Sequence, residues 1–332
     1  MFEQRIGCRS PFLALTIAAV ACTGTSTQRA AAQPVLFIVN GSNATVGEYN
    51  ALTGAAINPA FINGQGLSNP FGIVRDSSNH LFVSNDNINT VGEYNALTGA
   101  TINSTFINGQ GLNAPTGMAL DGSNHIFVVS TVVGEYNAAT GATINAAFIG
   151  GQGLSIPVDI KLDGNNHIFV SNLGNGTVGE YNATTGAAIN PAFINGLSSA
   201  AGLALDTLGH LLVADINNNT VGEYDATTGA TINSNFITGL SGPRGLALDG
   251  LGHLFVSNSI NVIGEYDAVT GAAINSAFIN GQGLNNPEFL IVTPEPGSFA
   301  LAAVAAAGVA TWAARRRQRT GIGSKVVEPS DD

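Results

Sequence analysis

The side chains able to do chemistry are few and evenly spaced. Five histidines, His80, His125, His167, His210 and His253, each follow an aspartate by four residues: Asp76, Asp121, Asp163, Asp206 and Asp249. An imidazole beside a carboxylate can serve as a general base or a metal ligand. Either role needs a histidine that differs from its counterparts or converges with others, and these five share one context. Six glutamates recur in the same way, Glu48, Glu93, Glu135, Glu180, Glu223 and Glu265, each followed by a tyrosine: Tyr49, Tyr94, Tyr136, Tyr181, Tyr224 and Tyr266. Cys8 and Cys22 are the only thiols, and both lie near the N-terminus. Asp86-Asn87-Ile88-Asn89 and Asp215-Ile216-Asn217-Asn218 have the oxygen content of calcium loops but no terminal bidentate acid, so turn chemistry accounts for them more simply. The expectation is therefore no catalytic residue, no cofactor and no metal site. The Asp and His pairs bridge hairpins, and the glutamates form an outward acidic belt or bond to the neighbouring repeat.

The elements that hold these residues follow from their period. Between Glu48 and Glu265 lie five intervals of about 43 residues, the length of a four-stranded propeller blade. Helical repeats of similar length are excluded, because β-branched alternation with Gly, Asn and Thr punctuation dominates and no window has helical apolar spacing. From Pro243 one unit reads as a strand at Gly245–Asp249, a turn at Gly250-Leu251-Gly252, and a second strand at His253–Ser257. A third strand lies around Ile263–Tyr266, and a fourth runs from Ala273 to Ile279. Phe61, Phe106, Phe148, Phe193, Phe236 and Phe278 recur in the fourth strand and, with the tyrosines, are expected to pack neighbouring blades together.

The end copies are complementary. Val35–Val39 supplies a second strand with no first strand before it, and Pro287–Val292 supplies a first strand with no second after it. Pairing them completes a sixth blade and closes the ring, which removes exposed sheet edges there. The fold expected is all-β, a six-bladed β-propeller of four-stranded antiparallel blades over residues 34–293, with one further C-terminal transmembrane helix. The Pro-x-Gly-x-x-x-Asp first strand, as in Pro115–Asp121, with its short turn, apolar second strand and Asn-rich loop, resembles the NHL-repeat propellers. That resemblance spans about four fifths of the chain and implies the fold alone, since propellers bind, scaffold and catalyse. Streptogramin-lyase-like propellers offer the enzymatic alternative, which needs a unique basic and acidic constellation.

The two ends read as targeting segments. In residues 1–33, Arg5 and Arg9 precede the apolar run Phe12–Ala21, the pattern of an export signal. Cleavage fits after Ala21 or before Gln33, and the second is preferred. Cys22 partly resembles a lipobox cysteine, although Ala19 stands where a larger aliphatic residue is usual. Gly297–Ala314 is an 18-residue stretch without charge, bordered by Trp312 and followed by Arg315, Arg316, Arg317 and Arg319, the pattern of a membrane span with a cytoplasmic basic flank. Pro294-Glu295-Pro296 precedes it. Triplet, span and arginines over residues 294–319 resemble the PEP-CTERM sorting signal of Gram-negative bacteria, which implies processing by an exosortase and delivery to the cell surface or extracellular matrix. Residues 320–332 form a cytoplasmic tail longer than is usual in that family.

Charge sharpens the choice of partner. The whole chain carries −11, whereas residues 34–293 hold 17 acidic and 3 basic residues, a ring charge of −14. Such a surface opposes phosphate binding, so nucleic acid is excluded as a partner. A surface protein or polysaccharide remains, alongside the exosortase and the membrane. The function expected is a non-enzymatic binding or scaffold module at the bacterial surface.

Overall fold

The computed structural model describes residues 33–293, so the export signal, the transmembrane helix, the Pro-Glu-Pro triplet and the arginine cluster lie outside the described residues. Within them the chain forms six four-stranded antiparallel sheets, each one blade. Blade two runs outward from the axis through Pro70–Arg75, His80–Asn85, Thr90–Asn95 and Thr101–Asn108. The innermost strands of blades three to six are Met118–Leu120, Pro157–Leu162, Ala200–Leu205 and Pro243–Leu248. Blade one takes its innermost strand, Pro287–Thr293, from the end of the ring and its other three, Val35–Asn40, Thr45–Asn50 and Ala56–Asn63, from the beginning. Leu36 faces Val292 and Ile38 faces Leu290, so the two ends pair and close the ring as expected.

The repeated Val-Gly-Glu-Tyr has a steric cause. Side chains two apart in a strand share a face. Each tyrosine ring lies over the glycine two residues before it, and a Cβ on Gly47 would stand 2.6 Å from the Tyr49 ring. The same closeness recurs at Gly92, Gly134, Gly179, Gly222 and Gly264, so a bare backbone and a large ring are selected together. All six tyrosines are buried.

Those tyrosines also bind blade to blade. The hydroxyls of Tyr49, Tyr94, Tyr136 and Tyr181 donate to the backbone carbonyls of Gln282, Gln65, Gln110 and Gln152, each 3.1 Å away in the loop that ends the preceding blade. The glutamine side chains reach back, their Oε1 accepting the N–H of Ala56, Thr101, Thr143 and Ala188 at the start of the next outermost strand. The loops that end blades four and five, Asn195-Gly196-Leu197 and Thr238-Gly239-Leu240, have no glutamine. Tyr224 and Tyr266 therefore lack this clasp. Five of the six fourth-strand phenylalanines pair with a second-strand one, among them Phe106 with Phe82 at 5.1 Å and Phe278 with Phe255 at 5.3 Å, and these two pairs sit in apolar clusters shared by adjacent blades.

Close approach of the innermost strands explains the Pro-x-Gly element. A Cβ on Gly202 would lie 2.0 Å from the Arg244 carbonyl oxygen, and one on Gly72 would lie 2.2 Å from that of Thr116. Neighbouring innermost strands meet backbone to backbone here, and the Gly117 N–H donates to the Val158 carbonyl at 2.8 Å. Only glycine permits that distance without displacement.

Candidate functional site in the central channel

The repeated Asp, His and Glu come together within blades two to five. His80 opens the second strand opposite Asn95, and Glu93 stands two residues along on the same face of the third strand. The His80 Nδ1 is thus 3.0 Å from Asp76 and 3.3 Å from Glu93. His125 and His210 repeat the arrangement, with glutamate distances of 3.5 and 3.1 Å, and His167 is 3.9 Å from Glu180. Glu93, Glu135, Glu180 and Glu223 form neither an outward belt nor a bond to the next blade, because the pleat turns them toward the histidine of their own sheet. Burial holds the carboxyls of Glu93, Glu135, Glu180 and Glu265 above the usual range, the histidine lowering them and the aspartate raising them further. Asp163 is pushed up by burial but held below its usual range by the N–H groups of Asn165 and His167 and by the His167 ring.

The tightest set, Asp206, His210 and Glu223, places its ligand-type atoms within 4.8 Å of one another. Both carboxylates of the set approach the same ring nitrogen, His210 Nδ1, at 3.0 and 3.1 Å, without an aligned hydrogen bond to either. Its near-copies in the other histidine-bearing blades mark it as part of the frame. The seam blade departs from the pattern: Val35 and Thr293 replace the histidine and aspartate, and Thr293 Oγ1 donates to the Val35 carbonyl at 3.3 Å. The two Asp/Asn-rich loops build turns. Asp86–Ile88 is a short 3-10 turn whose aspartate accepts from Asn69, and the buried Asp215 accepts the N–H groups of Ser198 and Ser199.

What breaks the sixfold uniformity lies on the axis. The innermost strands line a cavity of about 670 Å³, walled by Leu120, Leu162, Leu205, Leu248 and other apolar side chains, with Arg75, Asp76, Asp159 and Lys161 among its polar groups. Farther along the same strands a cavity of about 140 Å³ is bordered by Arg244, Phe71 and Phe289, and Phe289 borders both. All three basic residues of the ring, Arg75, Lys161 and Arg244, therefore stand on innermost strands.

Arg75 and Lys161 replace apolar repeat residues, and Arg244 stands where Phe71, Thr116, Val158, Ala201 and Glu288 stand in the other blades. Asp159 stands where Gly72, Gly117, Gly202 and Gly245 stand in other blades, and Lys161 where Ala119, Ala204 and Ala247 stand. Asp159 is 1% exposed, and its carboxylate accepts from Lys161 Nζ at 2.8 and 3.0 Å, from the Ile160 N–H at 2.8 Å and from the Leu203 N–H of blade five at 2.9 Å. Arg244 pairs with the buried Glu288 of the seam blade at 2.7 Å. Burial raises the Glu288 carboxyl, and the Arg244 guanidinium partly restores it. Arg75 donates to the Asn79 amide oxygen alone, and its Nε is buried without a partner. Sequence reasoning counted the three cations but did not place them together. The signal was available in Asp159 at a glycine position and in Glu288 opposite Arg244, yet only the ring brings strands about 44 residues apart side by side.

Known proteins resemble the two parts of the chain separately. No curated protein matches it in sequence. A protein in the crystal structure of a nidogen/laminin complex superposes with a TM-score of 0.64 at 12% identity, covering 78% of this chain and 98% of that one. A protein of unknown function from Bacteroides caccae superposes with a TM-score of 0.61 at 12% identity, over 79% and 100% of the two chains. At such identity the likeness shows the fold. The PEP-CTERM protein-sorting motif matches residues 292–317, within two residues of the span read from the triplet and the arginines. Such motifs are processed by exosortases and indicate export with a cell-surface fate. The chain is thus a six-bladed β-propeller that carries a PEP-CTERM sorting motif.

Proposed function

We propose that the chain is a non-enzymatic binding and scaffold module, of NHL-repeat type, displayed on the bacterial surface or in the extracellular matrix. The observation that carries this reading is the repetition of the titratable groups: each of the five histidines has its Nδ1 2.6–3.0 Å from the aspartate of its own hairpin, so no blade carries a unique imidazole. A closed ring with short loops gives a rigid frame with two faces, the form a display module needs. Pro294, Glu295 and Pro296 are the proposed recognition triplet for an exosortase. Gly297–Ala314 is the transient membrane anchor, and Arg315, Arg316, Arg317 and Arg319 are its cytoplasmic stop.

The test is to express residues 34–293 and screen them against surface glycans and surface proteins while assaying cleavage of the same polymers. Saturable binding without turnover supports the reading. Turnover of a surface polymer overturns it in favour of a lyase or hydrolase.

A further inference from the structure

We propose that the 670 Å³ channel cavity is a binding site for a small organic monocarboxylate, with the Arg75 guanidinium as its anchor. The inference rests on the binding-module reading and adds a ligand class and a position to it.

Arg75 is the cation of the ring that no acid neutralises. Lys161 is matched by Asp159 and Arg244 by Glu288. Among the described residues no carboxylate lies within ion-pair distance of Arg75, whose only side-chain partner is the neutral amide of Asn79. Its neighbour Asp76 is engaged elsewhere, accepting the N–H groups of Ser78 and His80 and lying 3.0 Å from the His80 ring.

The fold does not need a cation at this place. Leu120, Leu162, Leu205, Leu248 and Val292 hold the same position in the other five blades, and all five line the cavity with Arg75. A half-buried guanidinium against aliphatic walls is costly unless an acceptor meets it. Its planar fork of donors matches the two oxygens of a carboxylate. The cavity falls within the range that encloses small ligands, about 300–1,000 Å³. The Leu and Ala walls suit a compact, mainly apolar body. The ring charge of −14 selects against multiply charged anions, which lose more in that field than one carboxylate does.

The experiment measures binding of benzoate, hexanoate and glucuronate to the full-length chain in mild detergent, by saturation-transfer NMR and calorimetry, with benzamide and hexanamide as neutral controls. At least one carboxylate is expected to bind saturably and better than the amides. Arg75→Leu, the residue of four sister blades, is expected to weaken it tenfold or more with an unchanged thermal transition, whereas Arg75→Lys retains part of the affinity. Absence of saturable carboxylate binding, equal binding of the amides, or unchanged affinity in Arg75→Leu overturns the proposal. If any of these outcomes is found while the native chain still captures a surface glycan or protein, the carboxylate site fails and the binding-module reading stands.

Discussion

Lys161→Ala is expected to destabilise the ring more than the simultaneous loss of Lys161 and Asp159. The single change leaves the Asp159 carboxylate, 1% exposed, with two backbone N–H donors and no counter-charge. Removing one partner of a fully buried pair costs about 3–5 kcal/mol. The lysine side chain is 30% exposed, and solvent screening at that end lowers the expectation to about 2–3 kcal/mol. Asp159→Gly with Lys161→Ala writes into blade four the Gly and Ala that blades three, five and six already carry. It strands the Ile160 and Leu203 N–H groups, at about 1 kcal/mol each. The single variant should therefore be less stable than the double by up to about 1 kcal/mol, the signature of coupled neighbours. Thermal unfolding followed by circular dichroism reads this directly, since about 1 kcal/mol moves the midpoint of a domain this large by roughly 2–4 °C. A single variant as stable as the double, or more so, would refute the claim that Lys161 neutralises Asp159 in the channel.

Further outcomes follow from the same geometry. Tyr181→Phe removes a hydroxyl that donates to the Gln152 carbonyl and should cost about 1 kcal/mol, whereas Tyr224→Phe, at a junction without the glutamine, should change the midpoint by no more than a few tenths; equal losses would contradict the clasp. Gly202→Ala puts a Cβ 2.0 Å from the Arg244 carbonyl and should destabilise by about 3 kcal/mol or more, while Gly122→Ala, with open space around it, should stay within about 0.5 kcal/mol in the same chemical denaturation series. Burial pushes Tyr49, Tyr94, Tyr136 and Tyr181 up to about 12 from an ordinary 10. A folded pKa above the unfolded one contributes stability that is full below pH 10 and lost as pH rises toward 12, because the unfolded chain ionises first. Tyrosinate absorbance at alkaline pH should then appear together with loss of the β-sheet signal; titration near pH 10 with the sheet intact would show these hydroxyls to be open to solvent.

The frame was legible in the sequence because its causes are local. A period of about 43 residues, alternating apolar strands and the complementary ends at Val35–Val39 and Pro287–Val292 lead to six closed blades, and strand bounds in the last blade agree to within two residues. The pairing of Asp249 with His253 was legible for the same reason, being a four-residue turn. The glutamate's partner was not, because it depends on which face of the third strand meets the histidine. The channel was least legible. Arg244 and Glu288 are unremarkable in their own strands, and only closure of the ring sets them in contact. Nor does the alignment of repeats show that the tyrosine clasp lapses at Tyr224 and Tyr266. That follows from loops that are shorter in the preceding blades.

The central claim, that the propeller reaches the cell surface through its C-terminal motif, is tested most directly by mass spectrometry of the mature C-terminus of the surface-exposed protein from the native host, alongside a variant with Pro294, Glu295 and Pro296 changed to alanine. The expected result is a surface form ending near the triplet and lacking Arg315, Arg316, Arg317 and Arg319, with the variant retained in the membrane fraction at full length. Surface protein that keeps its arginine tail, or a triplet variant displayed as well as the native chain, would contradict it.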